Sequence, residues 1–354
     1  MDQKFWSGRI RNLTPYVPGE HPQGRVFIKL NTNENPYPPS PHVLSAIRSA
    51  TDERLRLYPD PEAAQLRQAI ASFHGVTPEQ VFCGNGSDEV LALSFYAFFT
   101  PGKTVVFPDI TYSFYPVYTK LFQLDYKQIP LNDDFSLPVE QFLGGNGGCV
   151  ICNPNAPTGK TIPLQDIRRI LDANPDVVVM VDEAYADFGT QSAVSLLQEY
   201  PNLLTVHTMS KSRSLAGMRI GYALGSPDLI AAANCVKNSF NSYPIDQLAQ
   251  AAGIAAMQDT EHHTKSCNQI NATRQRITQQ LRQLGFLVHE SNTNFIFISH
   301  PDMPASQLLG LLRERDILVR WFNQPRIENH LRVTIGTDNE MDTFFATCQE
   351  ILKG

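Results

Sequence analysis

The chain of 354 residues is longer than one small core needs and fits two structural units. A hydrophobic content of 42 % with 18 % charged residues describes an ordinary globular protein. A formal net charge of −6 and an isoelectric point of about 5.8 leave no basic face for nucleic acid or an anionic membrane.

The opening "MDQKFWSGRIRNLTPY" holds no continuous apolar run, so no cleavable leader is expected. No later segment reads as a membrane span. The Pro- and Gly-rich "LTPYVPGEHPQG" predicts an arm over residues 1–28. Short apolar runs then alternate with helix-like segments: "QVFCGNG" before "SDEVLALSFYAFF", and "KTVVFPD" before "ITYSFYPVYTKLF". "GCVICNPNAPTG" precedes "LQDIRRILDA", and "DVVVMVDEAYADF", "NLLTVHTMSKS" and "RIGYALG" follow. Near-continuous Val/Ile/Leu runs fit strands covered on both faces, which predicts an α/β fold with a mainly parallel sheet between helices. From Gln247 onward a long helical stretch leads to "FLVHESNTNFIFIS", "ILVRWF" and "HLRVTIG", the pattern of a smaller α+β unit. The predicted division is therefore an arm (1–28), a large unit (29–246) and a small unit (247–354).

Six cysteines in a chain of this length do not form a disulfide framework. Cys149 and Cys152 make a C-x-x-C, but inside a strand-like run they read as small core residues rather than a redox pair. A reducing cytoplasm fits that usage. The nine histidines are scattered, adjacent His262 and His263 point apart on a helix, and no metal-ligand spacing emerges.

In open parallel sheets ligands bind beyond the carboxyl ends of the strands. "QVFC" delivers Gly84-Asn85-Gly86-Ser87-Asp88, a Gly-rich turn opening a helix, which suits a phosphate. Taken alone, Ser87 or Asp88 reads equally as a helix cap. "TVVF" delivers Tyr112 as a flat face, and "CVIC" delivers a loop with two amides. "DVVVMV" ends in Asp182, whose carboxylate is expensive to bury without a partner, with Tyr185 three residues on. "NLLTVHTM" ends in Ser210 and Lys211, with Arg219 eight residues further. A phosphate cradle, an arginine, a carboxylate, a phenol, an aromatic face and an amine together fit pyridoxal 5′-phosphate. Arg213 acquires no role and is expected as a solvated charge.

In this order, "GNGSDE", "NPNAPTG", "VDEAY" and "SKSRSLAGMRIGY" resemble the fold-type I, class II aminotransferases over nearly the whole chain. "RNLTPYVPGE", "LNTNENPYPPSP", "RLYPDP", "SNTNFIFI" and "ILVRWF…LRVTIGT" resemble the histidinol-phosphate aminotransferases among them. The resemblance implies a seven-stranded, mainly parallel sheet in a large domain, a smaller C-terminal domain, and pyridoxal 5′-phosphate as cofactor. It implies Lys211 as the lysine of the Schiff base and the carrier of the transferred proton, Asp182 against the pyridine nitrogen, and Tyr185 on the ring's 3′-oxygen. Gly86, Ser87, Asp88, Ser210 and Arg219 would hold the phosphate, and Tyr112 would stack on the ring. Many relatives carry a second Asn where this chain has Ala156, so Asn155 is expected to supply that amide. Tyr58 would reach a partner subunit's cofactor in an obligate homodimer.

Arg320 and Arg332, as forked guanidiniums, suit a carboxylate or phosphate, although each also reads as a surface ion pair. By resemblance Arg332 receives the α-carboxylate of glutamate, and both receive the phosphate of histidinol phosphate, with Tyr16 and Asn33 beside the imidazole. The implied reaction is amino-group exchange between L-histidinol phosphate and 2-oxoglutarate, in a ping-pong cycle. The alternatives are an aromatic amino-acid aminotransferase and a pyridoxal-phosphate-dependent decarboxylase of a phosphorylated amino acid. A ligand sensor on the same scaffold would need an appended DNA-binding module, for which the chain has no room.

Overall fold

A computed structural model of the chain describes residues 4–11, 13–17, 19–20 and 24–353, so parts of the N-terminal arm lie outside the described residues. After the arm come β1 (Ile28–Leu30), α1 (Pro41–Ala50), α2 (Ala64–His74) and β2 (Val81–Asn85). α3 (Gly86–Phe98), β3 (Val105–Pro108), α4 (Tyr115–Leu121), β4 (Tyr126–Ile129) and β5 (Gly148–Cys152) follow. Next are α5 (Leu164–Ala173), β6 (Val179–Asp182), β7 (Leu203–Thr208), β8 (Ile220–Gly225), α6 (Pro227–Phe240) and α7 (Gln247–Gln258). The chain ends with α8 (Thr260–Gln283), β9 (Leu287–Val288), β10 (Phe295–Ser299), α9 (Ala305–Glu314), β11 (Ile317–Trp321), β12 (Leu331–Thr334) and α10 (Asp338–Lys353).

Local chemistry explains several of these boundaries. Ser40 caps α1 by accepting from the Val43 N–H with Pro41 at the first turn, and Asp246 caps α7 by accepting from Ala249. α2 stops at Gly75, whose φ of +68° continues no right-handed helix.

The large sheet has seven strands in the order β2-β8-β7-β6-β5-β3-β4. β8 is antiparallel to both of its neighbours and all other pairs are parallel. The carboxyl ends of β2, β3, β5, β6 and β7 therefore share one edge. Because β8 runs the other way, its first residues arrive at that same edge, which is how Arg219 joins it. Both faces of the sheet are covered. Along β5, Cys149 and Ile151 enter one core cluster while Val150 and Cys152 enter the other. The two thiols of the C-x-x-C thus stand on opposite faces of the pleat, as core residues.

The second sheet has the order β1-β11-β12-β10-β9 and is antiparallel apart from the β1–β11 pair. α7 packs along α1 and α2, its small residues Ala249, Ala252 and Ala255 buried in the first core, whereas α8 packs on α10. β1, expected within the large unit, pairs Ile28 with Ile317 and buries Leu30 in the second core. Three strand residues offer no period to read, so only their pairing partner assigns them. Among the described residues no helix is long and apolar enough to cross a membrane, and no group of three or more His, Cys, Asp or Glu is placed to hold a metal.

Candidate active site at the sheet edge

Beyond that edge lies a cavity of about 310 Å³. Its wall includes Ser87, Asp88, Tyr112, Asp182, Tyr185, Ser210, Lys211 and Arg219, so strands far apart in sequence deliver their terminal residues to one place. Thr32, Glu34, Cys152, Ala156, Ala184, Thr208 and Ala216 complete it.

At the carboxylate end, Asp182 is 3 % exposed at the last position of β6. Its Oδ2 accepts from the Tyr115 hydroxyl at 2.7 Å and its Oδ1 from the Ala184 N–H at 3.2 Å. No cation pairs with it among the described residues. Burial raises its pKa to about 6, the two donors opposing and Asp88 adding to the rise. Tyr115 is the residue that sequence reading missed. It lies in an aromatic-rich stretch, "TYSFYPVY", where only the turn into α4 decides which ring faces inward.

At the opposite end α3 begins at Gly86 with no side chain capping it, which leaves its first N–H groups available. Gly86 has φ +77°, and a Cβ there would stand 2.4 Å from the Arg219 guanidinium. A Cβ at Gly221 would stand 2.2 Å from the Ser87 nitrogen. The two glycines let helix start, β8 and Arg219 converge. The Asp88 carboxylate accepts from Arg219 at 3.0 Å and from the Tyr112 hydroxyl at 2.7 Å. It orients those two side chains, so the expected part of Asp88 toward an anion falls to its main chain. The Ser210 hydroxyl is fixed by Thr208 at 3.0 Å.

Between the ends, Lys211 Nζ donates to the Thr32 carbonyl at 3.1 Å and stands 6.0 Å from the centre of the Tyr185 ring. Burial lowers its pKa to about 8, with Arg332 and Arg219 acting in the same sense and Glu34 and Asp88 against it. The Tyr185 hydroxyl accepts from Asn33 Nδ2 at 2.9 Å, and its pKa rises to about 12, chiefly by burial. Asn33 is buried and is absent from the cavity wall; it also accepts from the Thr334 hydroxyl at 3.1 Å. It positions Tyr185 instead of lining the pocket.

Two expectations meet corrections. Asn155 turns its amide away: Nδ2 donates to the Ile110 carbonyl and to Thr158, and Oδ1 accepts from Thr111 at 2.8 Å. The position facing the cavity is Ala156, so neither residue supplies an amide there. Arg213 is 6 % exposed, donates to the Ala256 carbonyl, and lies 4.4 Å above the Phe73 ring, far from a solvated charge. Tyr58 stands outside the cavity, 81 % exposed and stacked on Tyr243 at 4.6 Å.

Arg320 and Arg332 are directly opposite in the antiparallel β11–β12 pair, and each guanidinium lies 5.6 Å from the centre of the Phe322 ring. Arg332 donates to the Asn31 carbonyl at 2.9 Å, but its Nε is buried with no partner. An orphaned charged donor is costly and calls for an anion. Arg320 donates to the Val17 carbonyl at 3.2 Å and lines a neighbouring depression with Tyr16 and Lys120. Tyr16 stacks on Phe114 at 4.3 Å, and Phe114 meets Tyr112 at 5.5 Å, which links that depression to the cavity.

The uncapped helix start beside Arg219, the carboxylate without a cation and the amine between them fit pyridoxal 5′-phosphate: an anion at one end, a protonated ring nitrogen at the other, an aldehyde in the middle.

The aminotransferase class I and II family profile matches residues 25–347. The histidinol-phosphate aminotransferase of Clostridium acetobutylicum is 54 % identical over 349 residues, covering 99 % of each chain. That of a Marinomonas species is 54 % identical over 351 residues, covering 98 % of this chain and 99 % of its own. The crystal structure of the Sinorhizobium meliloti histidinol-phosphate aminotransferase in complex with pyridoxal-5′-phosphate superposes with a TM-score of 0.89 at 26 % identity, covering 99 % of this chain and 98 % of that one. With an edge that gathers lysine, aspartate and phosphate cradle as described, the chain belongs to the class I and II aminotransferase family.

Proposed function

We propose that this chain transfers the amino group of L-histidinol phosphate to 2-oxoglutarate, giving imidazole acetol phosphate and L-glutamate, with pyridoxal 5′-phosphate as cofactor. The observation that carries the substrate is the cross-strand pair Arg320–Arg332, in which Arg332 has an unpartnered buried Nε and stands close enough to Lys211 to depress its basicity. Two adjacent guanidiniums match a phosphate monoester, which bears nearly two negative charges at neutral pH. The α-carboxylate of glutamate uses Arg332 in the other half of the cycle.

Bound in the cavity, the cofactor supplies an aldehyde that reacts with amines and a protonated ring that accepts the electron pair released at the substrate's Cα. The chain's residues do the rest. Asp182 holds the proton on the ring nitrogen. Lys211 Nζ, with a pKa of about 8 in the free chain, is partly unprotonated near neutral pH and carries the proton removed from Cα. Tyr185, oriented by Asn33, donates to the ring's 3′-oxygen. The N–H groups opening α3, Ser87, Ser210 and Arg219 hold the cofactor phosphate, and Tyr112 covers the ring.

The active form is a homodimer in this reading, supported by the exposed apolar residues Leu55, Leu57, Tyr58, Tyr96, Phe240 and Tyr243, with Tyr58 reaching the other copy's cofactor. The packing supports a large unit through α7 and a small unit from α8 onward that also takes β1. All six cysteines are free, which suits a reducing cytoplasm.

Steady-state kinetics with histidinol phosphate, phenylalanine and tyrosine as donors tests the substrate. The expected result is a kcat/KM for histidinol phosphate at least about 100-fold above the other two, the worth of two charge-assisted contacts. Equal or better turnover of phenylalanine would assign the enzyme to aromatic amino acids, and CO2 release would make it a decarboxylase.

A further inference from the structure

The main chain at Lys211 is gripped from outside the cavity. The Asn35 side-chain amide donates to the Lys211 carbonyl at 3.1 Å and to the Ser212 carbonyl at 3.2 Å. Ser266 Oγ lies 3.2 Å from Asn35 Nδ2 and 3.5 Å from its Oδ1, and Oδ1 also accepts from the Tyr37 N–H at 3.0 Å. A flipped amide would set its oxygen against two carbonyl oxygens, so the network admits one orientation. At the next residue the Ser212 hydroxyl donates to Asp187 Oδ2, and His263 Nε2 lies 3.2 Å from the same oxygen. His263 and Ser266 are three residues apart on α8 and share one helix face. Arg213 completes the run through the Ala256 carbonyl and Phe73. Three successive residues beginning at Lys211 are therefore tied down, the first two by Asn35 and Asp187, which α8 in turn holds through Ser266 and His263.

We propose that Asn35, Ser266 and the Asp187–His263 pair are positioning residues for Lys211: they fix its main chain from the side of α8 and so fix where Nζ stands against the Thr32 carbonyl and Arg332. The proposal rests on the reading of Lys211 as the reactive amine. Burial acts first to raise the Asp187 pKa, but His263, Arg213 and Ser212 outweigh it and hold the carboxyl well below its usual range, so the anchor is an anion. The charged groups around Nζ are Arg332, Arg219, Glu34 and Asp88. Burial is the largest of the influences that depress its basicity, so a loosened lysine that moves toward water regains affinity for its proton.

The test is a pH titration of the visible absorbance of the bound cofactor, with kcat and KM, for wild type, Asn35→Ala, Ser266→Ala, His263→Ala and His263→Gln holoenzymes. Lys211→Ala is the reference. If Lys211→Ala keeps the wild-type pH-dependent band, the reading of Lys211 fails, whatever the other variants do. If that band depends on Lys211, Asn35→Ala should raise its midpoint by about 0.5 to 1 pH unit. It should also lower kcat by about 10- to 100-fold with KM changed less than about threefold, the signature of a misplaced group. Ser266→Ala should shift the midpoint the same way by less, and His263→Gln, which can still donate to Asp187, should lie nearer wild type than His263→Ala. Midpoints within about 0.2 unit of wild type would overturn the proposal even if stability falls, since packing alone does not move that proton. Should Asn35→Ala not fold, Ser266→Ala, which deletes a single hydroxyl, decides by the same criterion.

Discussion

Replacing Asp182 with Asn separates what this carboxylate costs the fold from what it does for the reaction. Its pKa in the folded chain is raised from 3.8 to about 6, mainly by burial. A carboxyl with a raised folded pKa binds its proton more tightly in the folded state than in the unfolded one. Its contribution to stability is therefore present at low pH, is lost as pH rises from the unfolded value through about 6, and is a full penalty above that. A shift of about two units corresponds to about 3 kcal/mol. Asparagine fills the same volume, but one of the two acceptors facing Tyr115 and Ala184 becomes a donor, which takes back about 1 kcal/mol. The cofactor-free Asp182→Asn protein should be more stable than cofactor-free wild type by about 2 kcal/mol near pH 8, and the difference should shrink as pH falls and change sign toward about pH 4. Urea unfolding of both proteins across that range measures it. The same variant should lose at least about 100-fold in turnover when loaded, because an amide does not keep a ring nitrogen protonated as a carboxylate does. A variant less stable than wild type at pH 8, or a difference independent of pH, would refute the assignment of Asp182 as an uncompensated buried charge.

Lys211→Ala should lower transamination by at least about 100-fold and abolish the pH-dependent visible band, as read by absorbance after loading. Gly86→Ala puts a Cβ 2.4 Å from the Arg219 guanidinium at a φ of +77°; cofactor affinity by equilibrium dialysis should fall about tenfold or more, and unchanged affinity would exclude this turn as the phosphate cradle. Arg332→Gln and Arg320→Gln should each lower kcat/KM for histidinol phosphate by about 10- to 100-fold. The double variant should cost less than the product of the two, because both contacts are made to one dianion.

How far the site could be read in advance follows from where each residue sits. Asp182, Tyr185, Ser87, Ser210, Lys211 and Arg219 stand at the ends of apolar runs or a few residues on, and the rule that parallel strands deliver their ends to one edge gathers them. Arg219 follows the same logic only because β8 runs antiparallel, an orientation no run of residues shows by itself. Other features depend on the path of the chain between strands. Which of Asn155 and Ala156 faces the cavity is decided by the loop's hydrogen bonds to Ile110, Thr111 and Thr158, not by its composition. Arg213 looked solvated because charged residues in loops usually are, and its burial depends on Phe73 and Ala256 arriving from α2 and α7. Tyr115 shares its stretch with three other aromatic side chains that sequence alone treats alike.

The segment that follows β1 touches several parts of the site that composition and period do not announce. Asn31 to Asn35 follow a three-residue strand with no period to read, yet each of the five meets the cavity or its supports. The Asn31 carbonyl accepts from Arg332 and the Thr32 carbonyl from Lys211. The Asn33 amide donates to Tyr185, Glu34 stands in the wall, and Asn35 holds the Lys211 carbonyl. These partners lie far along the chain, so no local signal announces them. The strand just before them, β1, belongs to the sheet of Arg320 and Arg332, whereas Lys211 and Tyr185, which Thr32, Asn33 and Asn35 hold, follow strands of the large sheet. A carbonyl that accepts from Lys211 and one that accepts from Arg332 are thus neighbours on one backbone, and the distance between amine and guanidinium is set by consecutive peptide units. In the proposed reaction the N-terminal segment registers the substrate's anion on Arg332 to the amine of Lys211.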